Sequence, residues 1–365
     1  MTRIDRYISL SFLGGCLPVL LLLLSLFSFL ALSEELEDIG DGSYELADAL
    51  LVVVYNLPTL VVNLLPVTAL LGGLLGLGAL ANNLELITMR AAAMSPARIA
   101  LPIAKMALVF IALVVLLQSF VIPRAEYNAA GHRAKTLMEQ GPLELEGETA
   151  GVGVDTEFWT RNKGQFIRID HVEPGRSLAE VEVYQFDDKG NLARMLQTTR
   201  AQLLQDKTWL LHQVYATQFE DAHSQTEYKD TLLWDALLNE EQTRALITPA
   251  SAMAPTDLWK SIQRLERNNM NSESHRVLFW TQMSIPLGLL GMALLSLPFL
   301  LGSTRSVPVG KRIAMGALIG ITYYLVQQIS GHLAGVLHWN VALTVLAPSI
   351  LILAIALFLL KRAND

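Results

Sequence analysis

The residue types that most often carry chemistry are thinly spread in this chain. Its seven histidines, His132, His171, His212, His223, His275, His332 and His338, include no pair at metal-ligand spacing. Each reads as a polar surface or interfacial side chain. The patterns G-x-x-x-x-G-K-[ST], H-E-x-x-H, C-x-x-C and G-x-S-x-G are missing, so there is no P-loop, zinc-protease helix or nucleophile elbow. Without a paired nucleophile and base no catalytic residue is assigned, and no metal or cofactor is expected. The one cysteine, Cys16, cannot close a disulfide within the chain. A single segment is suited to contact instead of reaction. Residues 84–96 are rich in helix formers, including Glu85, Met89 and Arg90, and end at Ser95-Pro96, a stop signal. Leu84, Ile87 and Ala91 share one stripe, with Glu85 and Arg90 elsewhere. Such a helix can lie on a bilayer or enter the groove of a soluble partner, and a plain connector accounts for it equally well.

The elements that would position this segment follow from composition. Of 365 residues, 52% are hydrophobic and 17% charged, against about 25% charged in soluble domains. A net charge of −7, from 27 Lys+Arg and 34 Asp+Glu, argues against a nucleic-acid partner. A soluble enzyme of ordinary type, a disordered chain and a disulfide-rich secreted fold are excluded. The charge is also uneven: residues 277–303 and 313–360 carry none, whereas 124–276 hold 17 basic and 24 acidic residues. Because about 20 apolar residues cross the hydrocarbon core, spans are predicted over 8–32, 57–81, 99–122 and 277–301. The first is too long for a signal-peptide core of about 7–15 residues and reads as an uncleaved anchor. As one helix, 313–360 would measure about 72 Å, so it must turn back between Gly331-His332 and His338-Trp339-Asn340.

Six spans put both termini on one side. Arg3, Arg6, Arg90, Arg98, Lys105, Arg305, Lys311, Arg312, Lys361 and Arg362 all fall there. The first loop opposite holds Glu34, Glu35, Glu37, Asp38, Asp41, Glu45 and Asp48 and no base. By the positive-inside rule the termini are cytoplasmic and the large insertion lies outside. That insertion reads as strands. Val181 and Val183 alternate with Glu180 and Glu182, residues 166–170 alternate similarly, 187–191 form a turn, and 208–214 and 231–234 are further candidates. Residues 256–276 suit an amphipathic helix leading back to the membrane. The expected fold is an α-helical membrane protein with six transmembrane helices and an inserted all-β, sandwich- or jelly-roll-like domain between helices 3 and 4. Its divisions are 1–123, 124–276 and 277–365. Gly72-x-x-x-Gly76, Gly316-x-x-x-Gly320 and Gly331-x-x-x-Gly335 permit close helix approach, within the chain or to another membrane subunit. Charges are absent from the hearts of the spans, which leaves little for ion-coupled transport. Gln327 and Gln328, the most polar residues of span five, are accounted for by interhelical hydrogen bonds.

Several runs resemble the lipopolysaccharide-export permease family LptF/LptG: Asp5-Arg6-Tyr7-Ile8 at the first span, Gly42-Ser43-Tyr44, Leu65-Pro66-x-x-Ala69-Leu70-Leu71-Gly72 and Leu74-Leu75-Gly76-Leu77-Gly78. Glu85-Leu86-x-x-Met89-Arg90-Ala91 looks like the family's coupling helix, placed at about 83–96. The turn Arg305-Ser306-Val307-Pro308-Val309-Gly310-Lys311-Arg312 is closer to the LptG branch than to the LptF branch. The likeness is strong over the membrane half and loose within the inserted domain.

The resemblance implies a permease subunit of an ABC exporter that extracts lipopolysaccharide and passes it to a periplasmic bridge. It implies an LptF-like sister permease, an LptB-like cytoplasmic ATPase dimer, an LptC-like single-span protein and an LptA-like bridge, and it accounts for the missing P-loop. Carried over by position, Glu85 matches the carboxylate that meets the ATPase groove, with Met89 and Arg90 beside it. Arg133 matches a base used near lipid phosphates, with Arg124 and Lys135 as weaker neighbours. Relatives often carry lysines after span one, where this chain has Glu34-Glu35-Leu36-Glu37-Asp38. Carboxylates repel phosphate unless divalent cations bridge them, so headgroup contact is expected from the Arg133 side or from the partner subunit. The competing reading is a non-transporting membrane scaffold whose β domain binds a periplasmic partner.

Overall fold

The computed structural model describes residues 3–40, 43–138, 158–162, 165–173, 177–187, 191–204, 208–220, 223–235, 252–267, 272–301, 309–336 and 340–364. The chain divides into two compact units, one of residues 1–38, 49–126 and 250–365 and one of 39–48 and 127–249. Helices α1 (Arg3–Glu35), α2 (Leu46–Asn82), α3 (Glu85–Ala91) and α4 (Pro96–Leu116) come first, followed by a π-helical turn (Leu117–Val121) and α5 (Ile122–Met138). After six strands come α6 (Pro255–Arg267), α7 (Glu273–Leu301), α8 (Val309–Val336) and α9 (Val341–Asn364).

Among the described residues, six helices are long and apolar enough to cross a membrane. They coincide with the six expected spans, and the break in the long uncharged run falls between Val336 and Val341. Within the helical unit α2 and α7 are the inner pair. In their most apolar windows 67% and 72% of residues are buried, against 11% for α1. The core joins Ile8 and Phe12 of α1 to Leu65, Leu70 and Leu77 of α2 and to Leu289, Met292 and Leu297 of α7.

Glycine sets how closely α1 and α2 cross. A methyl group on Gly15 would meet the Gly72 carbonyl oxygen, and one on Gly76 would meet the Ser11 carbonyl oxygen. The Gly72-x-x-x-Gly76 pair is therefore used within the chain, as backbone-to-backbone packing in which any side chain would part the helices. Gly316 and Gly320 of α8 likewise face Leu74 and Val67 of α2.

The second unit contains β1 (Phe158–Asn162), β2 (Gln165–Glu173), β3 (Ser177–Phe186), β4 (Leu192–Leu203), β5 (Thr208–Glu220) and β6 (His223–Asp235). All six described strands join one antiparallel sheet in sequential order. Its apolar face buries Ile167, Ile169, Leu178, Val181, Val183, Leu196, Trp209, Leu211 and Val214. Alternation along the strands is interrupted once. Pairing skips Asp170, Glu180, Thr199, Gln213 and Asp230, which are opposite one another across the sheet. Glu180 and Gln213 have φ of 49° and 52°. The register is the same on both sides of this row, so no strand carries an extra residue there, yet the buried side changes: burial passes from Leu178 to Val181 and from Leu211 to Val214. The period-2 reading of Glu180 to Val183 holds over all four residues, with Val181 and Val183 buried and Glu180 exposed and left-handed.

Candidate functional site

Helix α3 stands between the second and third spans, held by one face. Leu86 is buried at 1% exposure, and Met89 and Met94 pack against the same helical core. Its C-terminus is a Schellman motif: the Met94 amide donates to the Met89 carbonyl at 3.1 Å and the Ala93 amide to the Arg90 carbonyl at 3.0 Å. Ala93 takes the left-handed position, φ 60°, usually given to glycine. Leu84, before the first turn, is also left-handed at φ 62°. The Ser95 hydroxyl then accepts from the Arg98 amide at 3.2 Å and starts α4, with Pro96 at its first position.

The opposite face of α3 is open. Leu84, Ile87, Arg90 and Ala91 are exposed, so the stripe read from spacing is a free apolar surface flanked by charge. Glu85 is half-buried; the Asn83 side-chain amide donates to it at 3.4 Å, and the Tyr7 hydroxyl of α1 lies beside its carboxylate. Of the three positions assigned to coupling, Glu85 and Arg90 border this open face, whereas Met89 is turned into the bundle.

Behind α3 lies an ion pair that spacing did not reveal. Asp5 Oδ1 and Arg98 Nη1 are 2.8 Å apart, with the Asp5 side chain 5% exposed. It joins the start of α1 to the start of α4, the helix that α3 leads into. The available signal was a lone acid between Arg3 and Arg6 at the mouth of an apolar run.

The three bases assigned to phosphate all ride on α5. Arg124 is exposed and Arg133 half-buried; they are about two and a half turns apart along the helix. Near Arg133 a clasp holds α5: His132 Nε2 lies 2.7 Å from Asp48 Oδ1, and the Ser43 amide and hydroxyl both donate to the Thr136 carbonyl at 2.9 Å. Tyr44, in the same turn, is 2% exposed. His132, read from sequence as a polar surface or interfacial residue, is thus hydrogen-bonded to Asp48.

Inside the helical unit the Gln327 amide donates to the Ser284 hydroxyl at 2.8 Å and the Val345 carbonyl at 3.3 Å. Tyr323 and Ser349 hydroxyls meet at 2.9 Å, and Ser349 donates to the Ser284 carbonyl at 3.0 Å. Gln327 is the interhelical bonding residue that was expected; Gln328 is exposed.

This arrangement, a short clamped helix between spans two and three and a β insertion between spans three and four, accompanies a sequence match. Residues 6–362 match the family model described as lipopolysaccharide export system permease LptF/LptG. The chain belongs to the LptF/LptG family. It is 28% identical to the lipopolysaccharide export system permease protein LptG of Haemophilus influenzae over 367 residues, covering 100% of each chain. To the LptG protein of Escherichia coli strain K12 it is 27% identical over 363 residues, 99% of this chain and 98% of the relative. Both likenesses run to LptG. Membership of LptF/LptG makes this a multi-pass inner-membrane permease of the Gram-negative type, and the six helices and the sheet are that family's membrane part and inserted domain.

Proposed function

We propose that the chain is the transmembrane permease subunit of an ABC exporter that extracts lipopolysaccharide from the inner membrane and passes it to a periplasmic bridge towards the outer membrane. The observation that carries this reading is the family match across residues 6–362. It is supported by α3, clamped on one face and open on the other. In this reading residues 1–123 and 277–365 form the membrane part, 124–276 the periplasmic part, and the α3 side is cytoplasmic, as the distribution of bases requires. ATP is hydrolysed by an LptB-like dimer, an LptF-like sister completes the pathway, and an LptC-like chain and an LptA-like bridge receive the lipid.

Each residue then has a task. Leu84, Ile87 and Ala91 enter the ATPase groove, Glu85 and Arg90 fix the docking with charge, and Leu86 and Met89 pass the displacement into the bundle. Acyl chains need an apolar wall, which the exposed flanks of α1 (Leu17, Leu21, Phe29) and α8 (Leu318, Ile321, Leu325) supply. Phe27 and Tyr324, with ring centroids 6.0 Å apart, bring those two helices together. Arg133, with Arg124 and Lys135, meets phosphate, for which guanidinium is the better partner. The test is co-purification of the ATPase with Glu85→Arg: the complex is expected to be lost while the permease stays folded. An unaffected complex would remove α3 from this role.

A further inference from the structure

Helix α1 is anchored over its first half only. Asp5, Ile8, Ser9, Phe12, Gly15 and Cys16 are its buried residues, and none of residues 17–35 is buried. Ile8 and Phe12 share the helical core with Ile99, Ile103 and Ala107 of α4. Two polar rungs join the same helices: Asp5 Oδ1 lies 2.8 Å from Arg98 Nη1, and the Ser9 hydroxyl donates to the Pro102 carbonyl at 3.5 Å. Asp5 and Ser9 are one turn apart, as are Arg98 and Pro102, so α1 and α4 start side by side and run in the same direction. Pro102 has no N–H, so α4 misses the backbone bond from that position to Arg98, and its first turn is loosened where Arg98 stands. That turn follows directly on α3: Ser95, just beyond the Schellman turn, accepts from the Arg98 amide. Arg98 is thus tied to α3 by its backbone and to α1 by its guanidinium. Farther along, α1 crosses α2 backbone to backbone at Gly15 and Gly72, about 15 Å from Asp5. Beyond the crossing Leu17, Leu21 and Phe29 are exposed, and the Phe27 ring meets Tyr324 of α8.

We propose that Asp5 is a positioning residue for transport: through Arg98 it ties displacement of α3 to α1, which turns about the Gly15–Gly72 crossing and moves its exposed outer arm. On the export reading, on which this rests, α3 takes up the stroke of the ATPase. The carboxylate suits the task because it is charged and its side chain is 5% exposed. Parting a mostly buried ion pair leaves an uncompensated charge, so a shift of Arg98 carries Asp5 with it, where a neutral contact would slip.

Spin labels on Leu21→Cys of α1 and Leu325→Cys of α8, in a Cys16→Ala background, report the arm in the full complex with its ATPase in nanodiscs. The distance between them is compared without nucleotide and after trapping with ATP and vanadate. With Asp5 in place the distance is expected to shift on trapping. Asp5→Asn should keep ATPase co-purification and ATP hydrolysis and lose the shift, and the exchanged pair D5R/R98D should restore it. An Asp5→Asn complex that shifts as fully as its parent overturns the proposal and leaves the export reading standing. So does a parent that keeps its ATPase and shows no shift on trapping. Joint loss of the ATPase and the shift in Asp5→Asn also overturns it, since the pair would then only support α3. A parent that retains no ATPase sinks the export reading and this inference together. Should Asp5→Asn misfold, Arg98→Lys, which keeps the charge, is expected to keep the shift and Arg98→Gln to lose it with hydrolysis intact. Equal shifts in those two variants overturn the proposal.

Discussion

At the scale of single residues, α3 concentrates the testable chemistry. Ala93 occupies a left-handed position that costs an L-residue roughly 1 kcal/mol and glycine almost nothing. Ala93→Gly should therefore raise the thermal midpoint of the purified protein slightly, by about a few tenths of a kcal/mol of stability after glycine's greater unfolded freedom is set against it. Ala93→Val should lower it, since a branched side chain fits that region worse. Asp5→Asn would leave Arg98 facing a neutral partner at a mostly buried site. Breaking such a pair costs up to about 3 kcal/mol, so a fall in thermal stability is expected, and an unchanged midpoint would reduce the pair to a surface contact. The Schellman turn could not be read from the sequence because alanine stands where glycine usually signals it. The helix itself was legible, since its formers and its Ser-Pro stop are local.

The elements show how interhelical distance and sheet rigidity are set. Because Gly15, Gly72 and Gly76 bring α1 and α2 together backbone to backbone, Gly72→Leu must separate the helices or distort them. Overpacking of this kind costs about 1–3 kcal/mol or more. Lower thermal stability and poor recovery as a monodisperse species are expected, with Gly14→Leu as a control, since nothing lies within 4 Å of a methyl group there. On the sheet, burial works against the charged form of Glu182. Hydrogen bonds from Tyr184 at 2.6 Å, Gln197 at 2.9 Å and Arg168 at 3.2 Å outweigh it, and the carboxyl is held below its ordinary range. A carboxyl lowered in the folded state stabilises above its unfolded value, near pH 4.3, and that contribution is lost as pH falls through the lowered value. Glu182→Gln should flatten the acid limb of the sheet unit's unfolding below about pH 4.3, measured by amide exchange in β3 and β4. An acid limb as steep as the wild type's would assign it to other carboxylates.

For the whole molecule, the division of burial decides where a lipid can be met. The inner helices α2 and α7 are spent on the core, whereas α1 and α8 keep long apolar flanks. Photo-crosslinkers at Leu21 and at Leu325 should capture lipopolysaccharide in cells, and capture of phospholipid alone would count against the export reading. The net charge of −7 resolves at this scale into separate statements. The bases gather in the short loops and termini of the membrane part, and the surplus of acid belongs to residues 124–276. On the export proposal, an acidic insertion is a weak trap for an anionic glycolipid, so any hold it has on substrate should come from apolar surface, with phosphate met by cations elsewhere. Arg133→Glu should accordingly reduce the Leu21 crosslink to lipopolysaccharide without reducing ATPase co-purification.

The sequence by itself determined the number of spans, the place of the turn in the long uncharged run, the β character of the insertion and the existence of α3. Each of these is local: hydrocarbon thickness dictates an apolar run length, strand pleat dictates a period of two, and stop signals act within one turn. Only the tertiary structure decided which face of α3 is clamped, which glycines touch which backbone, and that Asp5 pairs with Arg98 and His132 with Asp48. It also aligned the left-handed residues Glu180 and Gln213 in one row of the sheet and set the bases of α6 opposite its buried side. These depend on contacts between residues far apart in the chain, where several helical faces and strand registers satisfy the same local pattern and packing selects one.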